Sequence, residues 1–558
     1  MSGLRILYLH QHYSSPAGTT ATRAHAMATA LAARGHAVTL ACGRYAGAST
    51  GLDGPFRHGS REGRPAGSAF RVVEFDIPCG NADGLVRRSA AFLRFAARAG
   101  ALALRGQPRV GPGGPRHLPR HLPRHLPRHL PWDLVIASST PLTVALPALL
   151  ARRLRGTPFL FEIRDPWPEL PRALGGVPGP VLGAMDWLAD AACQHAAGIV
   201  ALSEGMAGTA LGRGADPARL AVVPNGCDLD LFGPHVAPWR PPEAAPHEVL
   251  AVYAGAHGRA NGLDLLLDAA ARLRARGERR VRLVLVGEGA AKPALAARAV
   301  SSALDNVTFL DPMPKRQLAA LLAGCQIGVQ CLAPVPEFAE WTAPNKLMDY
   351  LAAGLPVVAN LEGHAARLLA GGACDGPCGI ATPPADADAL ADALVALAGD
   401  RPRREAMGRA ARRQAVGRWD RRLLAARFCE AAEAAARPAP ARGGAVQGGA
   451  TDGGFAPGEF ARAGFAQAGS VQAGSVQAGG ARRGIAREEG RMAVPGWDVP
   501  ARRAPWPAAA GNGWATAPAG VPDAATAGLS PAVPARPPQA LPARPPQAVP
   551  AGTAGGRP

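Results

Sequence analysis

The sequence predicts an α/β protein built around two parallel sheets. Short apolar runs recur along the chain, separated by stretches long enough to form helices. This alternation begins twice, at Ile6–Leu9 and again at Val249–Gly255. Strands that are apolar throughout are typical of parallel sheets covered by helices on both faces. We therefore expect two α/β domains in tandem.

The first block opens with a strand, a loop and a helix. Ile6–Leu9 leads into the polar, glycine-containing loop Ser14–Thr20. A helix is expected from about Ala21 to Ala33, followed by the strand Ala37–Ala41. Open α/β sheets bind ligands at the carboxyl ends of their strands, where this loop lies. The loop lacks Gly-x-Gly-x-x-Gly, so no dinucleotide site is predicted. Further strands are expected at Phe70–Phe75, Leu134–Ala137, Phe159–Glu162 and Gly198–Ala201.

The second block repeats the pattern and ends in helices. A helix is expected from about Gly262 to Arg276. The other predicted elements are the strands Val281–Val286, Val307–Leu310, Ile327–Gln330 and Val357–Ala359, and the helices Ala385–Ala398 and Arg403–Glu433. We divide the chain into a first domain, residues 1–185, and a second domain, residues 186–436, whose last helix is expected to return to the first domain.

Two segments have compositions that do not support a folded core. Residues 115–131 hold four tandem Pro-Arg-His-Leu units, and proline at every fourth position blocks both helix and sheet. Residues 437–558 consist largely of Ala, Gly, Pro and Arg, with short repeats. The sequence predicts an extended insert in the first domain and a disordered tail.

Composition argues against several classes of protein. The formal net charge is +19, but the arginines are scattered and form no basic platform interleaved with aromatic residues, so nucleic-acid binding is not expected. The nine cysteines show no zinc-ligand spacing, and no metal site is predicted. No secretory signal or long apolar run is visible. We expect a cytoplasmic protein, with peripheral contact at the inner face of the plasma membrane as an option.

One motif indicates phosphate chemistry. Pro344-Asn345-Lys346 opens an apolar helix that ends at Gly354 and leads into the strand Pro356–Ala359. A helix N-terminus offers unpaired N–H groups to a phosphate, and Lys346 adds a cation in the first turn. Asp349 lies one turn further on, where a carboxylate can accept hydrogen bonds from ribose hydroxyls. An ordinary core helix with a polar start is the alternative.

The scarcity of lysine supports a role for Lys346. The chain has 61 basic residues, of which only Lys292, Lys315 and Lys346 are lysines. An arginine-favouring bias of this kind leaves lysine where a compact, flexible charge is needed. The other two lysines have no evident role in the sequence.

Five segments of the chain share one further property: taken in order, they match a known family. The segments are Gly18 to Thr39, Trp132 to Leu142, Phe161 to Leu170, Val223 to Phe232 and Ala343 to Val358. Together they resemble retaining family-4 glycosyltransferases of the GT-B fold, and in particular the WbuB-like branch of O-antigen and capsule synthesis. GT-B proteins have two Rossmann-like domains facing each other across a cleft.

The resemblance implies a sugar transfer from a nucleoside-diphosphate sugar, with a UDP-sugar as the expected donor, to a glycan or to an acceptor linked to polyprenyl diphosphate, with retention of configuration. It implies a hexosyl or N-acetylaminosugar transferase that needs no cofactor and no metal. The leaving diphosphate would help to deprotonate the acceptor hydroxyl, so the protein's task is to stabilise charge and position the acceptor. The implied donor-binding residues are Gly18, Arg259, Pro344, Asn345, Lys346 and Asp349.

The chain departs from the family pattern at two places. Family members usually carry two glutamates eight positions apart, but here the first position is Trp341 and the second is Asp349, with Glu337 and Glu340 out of register. The loop at 255–262 has Asn261 where many members have a second phosphate-binding lysine. Arg259 is the residue expected to compensate.

The acceptor side is implied by a segment of the first domain. Arg164, Asp165 and Trp167 follow a predicted strand and are expected to face the cleft. Asp165 stands where relatives place an acceptor- or sugar-contacting residue, so we assign it, with Lys346, to the catalytic set. The alternative is an Arg164–Asp165 pair at a strand end, with Trp167 in the core.

Residues 85–105 form a basic amphipathic stretch with two possible uses. Its arginines can meet anionic lipid while Phe92 and Phe95 enter the membrane interface, which suits a lipid-linked acceptor. The alternative is a surface helix whose apolar face packs on the sheet.

Two other functions stay open at this level. One is a sugar-nucleotide 2-epimerase of GT-B fold, for which the required acids and histidines are not identifiable. The other is a non-catalytic partner in a polysaccharide assembly complex, which the missing acid at position 341 and the long tail allow.

Overall fold

In the computed structural model the chain forms two parallel sheets with helices on both faces, as the sequence predicts. The structure describes residues 3–80, 83–108, 129–341, 345–371 and 376–437. Most of the Pro-Arg-His-Leu insert, Pro344 and the tail beyond residue 437 lie outside the described residues.

The first sheet has eight strands. In chain order they are β1 (Arg5–Leu9), β2 (Ala37–Tyr45), β3 (Ser60–Gly63), β4 (Arg71–Cys79), β7 (Leu134–Ser138), β8 (Phe159–Ile163), β9 (Gly198–Ala201) and β10 (Leu220–Val222). Their spatial order is β10-β9-β8-β7-β1-β2-β4-β3. Neighbouring strands are parallel except β3, which pairs antiparallel with β4 at one edge. A separate pair, β5 (Gln107–Pro108) and β6 (His129–Leu130), joins the two ends of the insert.

The second sheet has six strands, all parallel to their neighbours. They are β11 (Val249–Ala254), β12 (Val281–Val286), β13 (Val307–Leu310), β14 (Ile327–Gln330), β15 (Val357–Ala359) and β16 (Gly379–Ala381). Their spatial order is β13-β12-β11-β14-β15-β16.

Helices connect the strands and cover both sheets. In the first part of the chain they are α1 (Arg23–Ala33), α2 (Leu85–Arg105), α3 (Ala145–Arg155), α4 (Glu169–Leu174), α5 (Gly179–His195) and α6 (Glu204–Gly212). In the second they are α7 (Asp264–Ala275), α8 (Lys292–Ser301), α9 (Lys315–Gly324), α10 (Phe338–Trp341), α11 (Asn345–Ala353), α12 (Gly363–Ala370), α13 (Ala387–Gly399), α14 (Arg401–Arg418) and α15 (Arg421–Ala435). Within the described ranges, no helix is both long and apolar enough to cross a bilayer.

Each sheet is buried on both faces. In β1, Leu7 and Leu9 pack into one apolar cluster while Ile6 and Tyr8 pack into another on the opposite face. The strands of the second sheet alternate between two clusters in the same way. This two-sided burial explains why the strands read as continuous apolar runs.

Sheet membership places the domain boundary later than we expected. Strands β9 and β10 hydrogen-bond into the first sheet, so the first domain extends to Val222 rather than to residue 185. The last helix, α15, also belongs to this domain, because Leu424, Phe428 and Ala432 are buried in the same cluster as Tyr8.

The expected single helix over Arg403–Glu433 is two helices, α14 and α15. Between them the carbonyl oxygen of Trp419 accepts a hydrogen bond from the Cys227 N–H (2.8 Å). The Asp420 carboxylate accepts one from the Arg422 N–H (2.9 Å). The first bond fixes the chain to the segment that joins the two domains, and the second caps a new helix.

Helix α2 has the predicted bounds, but its phenylalanines do not face outward. Phe92 and Phe95 are buried in the core of the first domain, so they are not available to a membrane interface. Among the side chains of α2 that the structure describes, the large apolar residues that are exposed are Val86 and Leu93, at 84% and 58% of their surface.

A buried ion pair ties the first domain to the segment leading into the second. Arg23 and Glu162 are both fully buried, and the guanidinium Nε donates to the Glu162 carboxylate at 2.8 Å. The two terminal nitrogens of Arg23 donate to the carbonyl oxygens of Pro224 (2.6 Å) and Val223 (2.9 Å). Ser138 donates its hydroxyl to the same carboxylate at 2.5 Å. One guanidinium thereby orders a helix, a strand and the interdomain segment.

Glu162→Gln should destabilise the protein strongly. The substitution keeps the volume but leaves the Arg23 cation buried without its counter-charge, which costs about 3–5 kcal/mol of unfolding free energy. Urea unfolding of the two proteins measures the difference. Glu405→Gln, which breaks the exposed pair with Arg401, is the control and should not move the midpoint. Equal small effects for both variants would contradict this account.

Candidate active site

A cleft of about 1430 Å³ lies between the two domains. Its first wall is formed by residues that follow β1, β7 and β8, and its second wall by residues that follow β11 and β12 or end β14. These are the carboxyl ends of parallel strands, where open α/β sheets bind ligands. The cleft is therefore the candidate site.

Lys346 lies in the first turn of α11 and lines the second wall. Its Nζ donates to the Tyr253 hydroxyl (2.8 Å) and to the Asn261 side-chain oxygen (3.1 Å). It also lies 4.2 Å from the centroid of the Tyr253 ring, a cation–π distance. These contacts use two of the three ammonium N–H groups and hold the charge at the cleft.

Gly255, at the end of β11, makes this position of Lys346 possible. A Cβ at residue 255 would lie 2.8 Å from Lys346 Cε and 3.0 Å from its Nζ. Any side chain there would displace the lysine, so the backbone approach requires glycine.

The loop after β11 differs from the expectation for Arg259. The Arg259 side chain is exposed and is not part of the cleft wall, whereas Asn261 lines the cleft and binds Lys346. The compensating role expected of Arg259 stays a prediction. The cation that contacts this loop is Lys346, which belongs to α11.

The N-terminus of α11 opens onto the cleft. Asn345 begins the helix and lines the second wall beside Lys346, while Pro344 lies outside the described residues. The first N–H groups of a helix have no partners within the helix, and with the helix dipole they favour an anion.

Asp349 already has a partner. Its carboxylate is buried and accepts a hydrogen bond from Lys315 Nζ at 2.5 Å, and both residues line the cleft. We expected this carboxylate to be free to bind ribose hydroxyls. Lys315, which occupies one of its oxygens, is a residue of the site that the sequence analysis did not identify. Burial raises the pKa of Asp349, although the charge of Lys315 opposes the shift.

All three lysines of the chain lie at the carboxyl edge of the second sheet. Lys292 begins α8 and its Nζ contacts the Asp311 carboxylate at 2.7 Å, while Lys315 and Lys346 line the cleft. The rarity of lysine was therefore a usable signal for the two lysines that line the cleft, Lys315 and Lys346. Among the described residues, no three His, Cys, Asp or Glu side chains converge in a way that could hold a metal ion.

Burial lowers the pKa of Lys346 to about 8. An anion bound beside the ammonium group stabilises its charged form. Binding of such an anion therefore weakens as the pH rises above 8, because the lysine must first regain its proton.

On the first wall, Arg164 binds a histidine rather than the neighbouring aspartate. Its guanidinium Nη1 lies 2.7 Å from Nε2 of His10, which is almost fully buried. Burial, and then the charge of Arg164, hold the pKa of His10 well below its usual range, so the ring is neutral and its Nε2 accepts. The expected alternative of an Arg164–Asp165 pair is not what the structure shows.

Asp165 lines the cleft and accepts a hydrogen bond from the Thr140 hydroxyl, which lines the same wall. Trp167, two residues on, does not line the cleft. It packs partly buried against the core of the first domain, in a small cavity with Phe161 and Cys193. The assignment of Trp167 to the acceptor side is therefore not supported, because the chain turns its ring inward.

Gly18 contributes through packing. A Cβ there would lie 2.2 Å from Ser14 Oγ and 2.7 Å from the Ser49 nitrogen, so the residue closes two loops onto each other. Gly18 is not part of the cleft wall, but Thr19 and Thr20 are. The glycine positions a ligand-facing loop and does not face a ligand itself.

Glu340, one residue before the position of the missing glutamate, has a partner outside the cleft. Trp341 lines the cleft, whereas the Glu340 carboxylate pairs with Arg367 at 2.6 Å. Within the described cleft wall, position 341 therefore presents an indole ring where the family pattern has a carboxylate.

Two family models match the chain, one in each domain. Residues 18–226 match the model described as "Glycosyl transferase 4-like domain", and residues 248–400 match "Glycosyl transferases group 1". The first match ends just after β10, in agreement with the boundary seen in the sheets.

Curated relatives match over part of the chain. A D-inositol 3-phosphate glycosyltransferase of Kribbella flavida is 35% identical over 209 residues, which cover 36% of this chain and 47% of the relative. The corresponding enzyme of Nocardia farcinica is 32% identical, with coverages of 35% and 43%. The chain thus spans less than half the length of these relatives.

Solved structures match over both domains. Sucrose-phosphate synthase of Thermosynechococcus elongatus has a TM-score of 0.56 at 17% identity, covering 76% of this chain and 98% of that chain. Anabaena HepE in complex with UDP and glucose has a TM-score of 0.51 at 17% identity, with the same coverages. WaaG, a glycosyltransferase involved in lipopolysaccharide biosynthesis, has a TM-score of 0.51 at 16% identity, with coverages of 76% and 99%. These neighbours confirm the predicted GT-B fold.

The shifted pKa of Lys346 can be measured directly, because the chain has three lysines. After reductive ¹³C-methylation, one lysine methyl signal should titrate with a midpoint near pH 8. The N-terminal amine titrates in the same range, so the signal is assigned by its loss in Lys346→Arg. Lysine signals that all titrate above pH 10 would show that Lys346 is not desolvated.

Proposed function

We propose that the protein is a glycosyltransferase that moves a sugar from a nucleoside-diphosphate sugar to a hydroxyl acceptor. The observation that carries the proposal is Lys346 at the N-terminus of α11, inside the interdomain cleft. A half-buried ammonium group beside unpaired helix N–H groups suits a diphosphate. The Lys315–Asp349 pair, on the same wall, supplies polar groups for the attached ribose.

We propose UDP as the nucleotide and retention as the stereochemical course. A UDP-bound solved structure with a similar fold supports the first point. The acceptor oxygen would bond to the anomeric carbon on the face from which the diphosphate leaves. The acceptor proton would pass to a phosphate oxygen of the leaving group. Lys346 would stabilise the charge that develops on that diphosphate, which is the largest contribution asked of the protein.

The acceptor is proposed to bind at the first wall. Asp165 and Thr140 offer a carboxylate and a hydroxyl there, and Arg164 adds a cation. These groups suit a sugar or a phosphorylated polyol. The curated relatives, by their names, act on D-inositol 3-phosphate. A glycan or polyprenyl-linked acceptor, in synthesis of a cell-surface polysaccharide such as O-antigen, is our leading choice.

A membrane-bound acceptor would place the protein at the inner face of the plasma membrane. Support comes from the exposed side of α2, where Val86, Leu93 and Arg94 face outward. Such a surface suits anionic lipid headgroups. The buried Phe92 and Phe95 take no part in this version of the contact.

Assays of donor turnover separate this function from the two alternatives. Proton NMR with UDP-, GDP- and dTDP-sugars distinguishes release of the nucleoside diphosphate from formation of a 2-epimer. A transferase that lacks its acceptor should release nucleoside diphosphate slowly, by transfer to water. Formation of the 2-epimer would indicate the epimerase. Binding without any turnover would indicate the non-catalytic partner.

Two substitutions test the roles of the two walls. Lys346→Ala should weaken nucleoside-diphosphate binding and lower turnover by on the order of 10²-fold, the usual effect of losing one preorganised charge donor.

Asp165→Asn should leave the nucleotide Kd within about threefold, under 0.7 kcal/mol, and lower kcat by about tenfold or more. Calorimetry and the NMR assay measure the two quantities. If Lys346→Ala turns over donor at the wild-type rate, Lys346 does not bind the diphosphate.

A further inference from the structure

The end of β14 carries a buried side-chain amide to which no role in the site has been assigned. Gln330 is fully buried and lines the cleft. Neither its amide nitrogen nor its amide oxygen has a hydrogen-bond partner among the residues that the structure describes. Buried side-chain amides without partners are rare in folded proteins, because each unmet hydrogen bond is costly.

The position of this amide follows from the strand and helix geometry. Gly328, two residues earlier in β14, faces the Tyr350 ring, since a Cβ there would lie 2.7 Å from it. Side chains two residues apart in a strand share a face, so Gln330 points to the same side of the sheet. Lys346 lies one helical turn before Tyr350. Gln330 therefore lies under the first turn of α11, in the same region as Lys346.

We propose that Gln330 is a specificity-determining residue that binds the diphosphate of the donor. Its amide nitrogen donates to a phosphate oxygen held at Lys346, and its amide oxygen accepts from a hydroxyl group of the same ligand. This inference rests on the proposed function and adds a contact that the helix N-terminus and Lys346 alone do not provide. An amide suits the task because it donates without adding charge.

The chain contains a matched control for this residue. Gln11, in the loop after β1, is also almost fully buried, and both of its amide atoms also lack described partners. It is not part of the cleft wall. Replacing either glutamine by methionine removes the amide and keeps a similar volume. Only Gln330→Met should affect the ligand.

The test compares nucleotide binding by wild type, Gln330→Met and Gln11→Met. The probe is whichever of UDP, GDP and dTDP wild type binds most tightly, with the matching nucleoside as the phosphate-free reference. Calorimetry follows the diphosphate, and ligand-observed NMR follows the nucleoside. Gln330→Met should weaken diphosphate binding by about tenfold, the effect of one lost hydrogen bond to a charged group. Its nucleoside affinity should stay within about twofold of wild type, and Gln11→Met should match wild type in both.

Two further measurements check that the effect of Gln330→Met on binding comes from the lost amide and not from misfolding. The melting temperature of unliganded Gln330→Met should equal or exceed that of wild type, because an unpaired buried amide has been removed. Gln330→Glu, which keeps the shape but replaces the donor by an anion, should weaken the diphosphate at least as much.

Three results would overturn the inference. Wild-type diphosphate affinity in Gln330→Met would show that the amide does not contact the phosphates. Equal losses for the diphosphate and the nucleoside would show general damage to the site. If wild type binds none of the three nucleotides, the proposed function fails and this inference fails with it.

Discussion

The buried Arg23–Glu162 pair is the interaction on which the geometry of the cleft depends. Removing one partner from a fully buried pair leaves an uncompensated charge, so the two residues must stay together. Arg23 also holds the carbonyl oxygens of Val223 and Pro224, where the chain leaves the first domain. Arg164 and Asp165 come two and three residues after Glu162, just past the end of β8. The same pair thus orders the interdomain segment and the strand that presents the first wall.

The second wall is organised by lysines that come from different elements. Lys346 reaches from α11 to Tyr253 and Asn261, while Lys315 reaches from the start of α9 to Asp349. Cations close to a desolvated cleft focus a positive potential toward an anionic ligand. At position 261, where the family pattern has a basic residue, this chain places an amide that binds Lys346. The proposed chemistry needs charge at the diphosphate more than it needs a fixed loop sequence.

Much of the fold, and less of the site, could be predicted from the sequence. The strands were visible because two-sided burial makes them continuous apolar runs, and α11 was visible from its polar start and Gly354. The late boundary at Val222 and the break at Trp419 depend on tertiary contacts, which no local pattern reveals. The same holds for the exposed Arg259 and for the Trp167 ring packed against the core, because the direction of a loop side chain depends on tertiary contacts. Lys315 had a compositional signal, and Gln330 had only its polar character at the end of an apolar strand.

A crystal structure of the protein with a bound nucleoside diphosphate tests the central claim most directly. The account predicts the diphosphate within hydrogen-bond distance of Lys346 Nζ and of the first N–H groups of α11, with the ribose beside Asp349. Phosphates bound instead at Arg164 on the first wall, or outside the cleft, would contradict it.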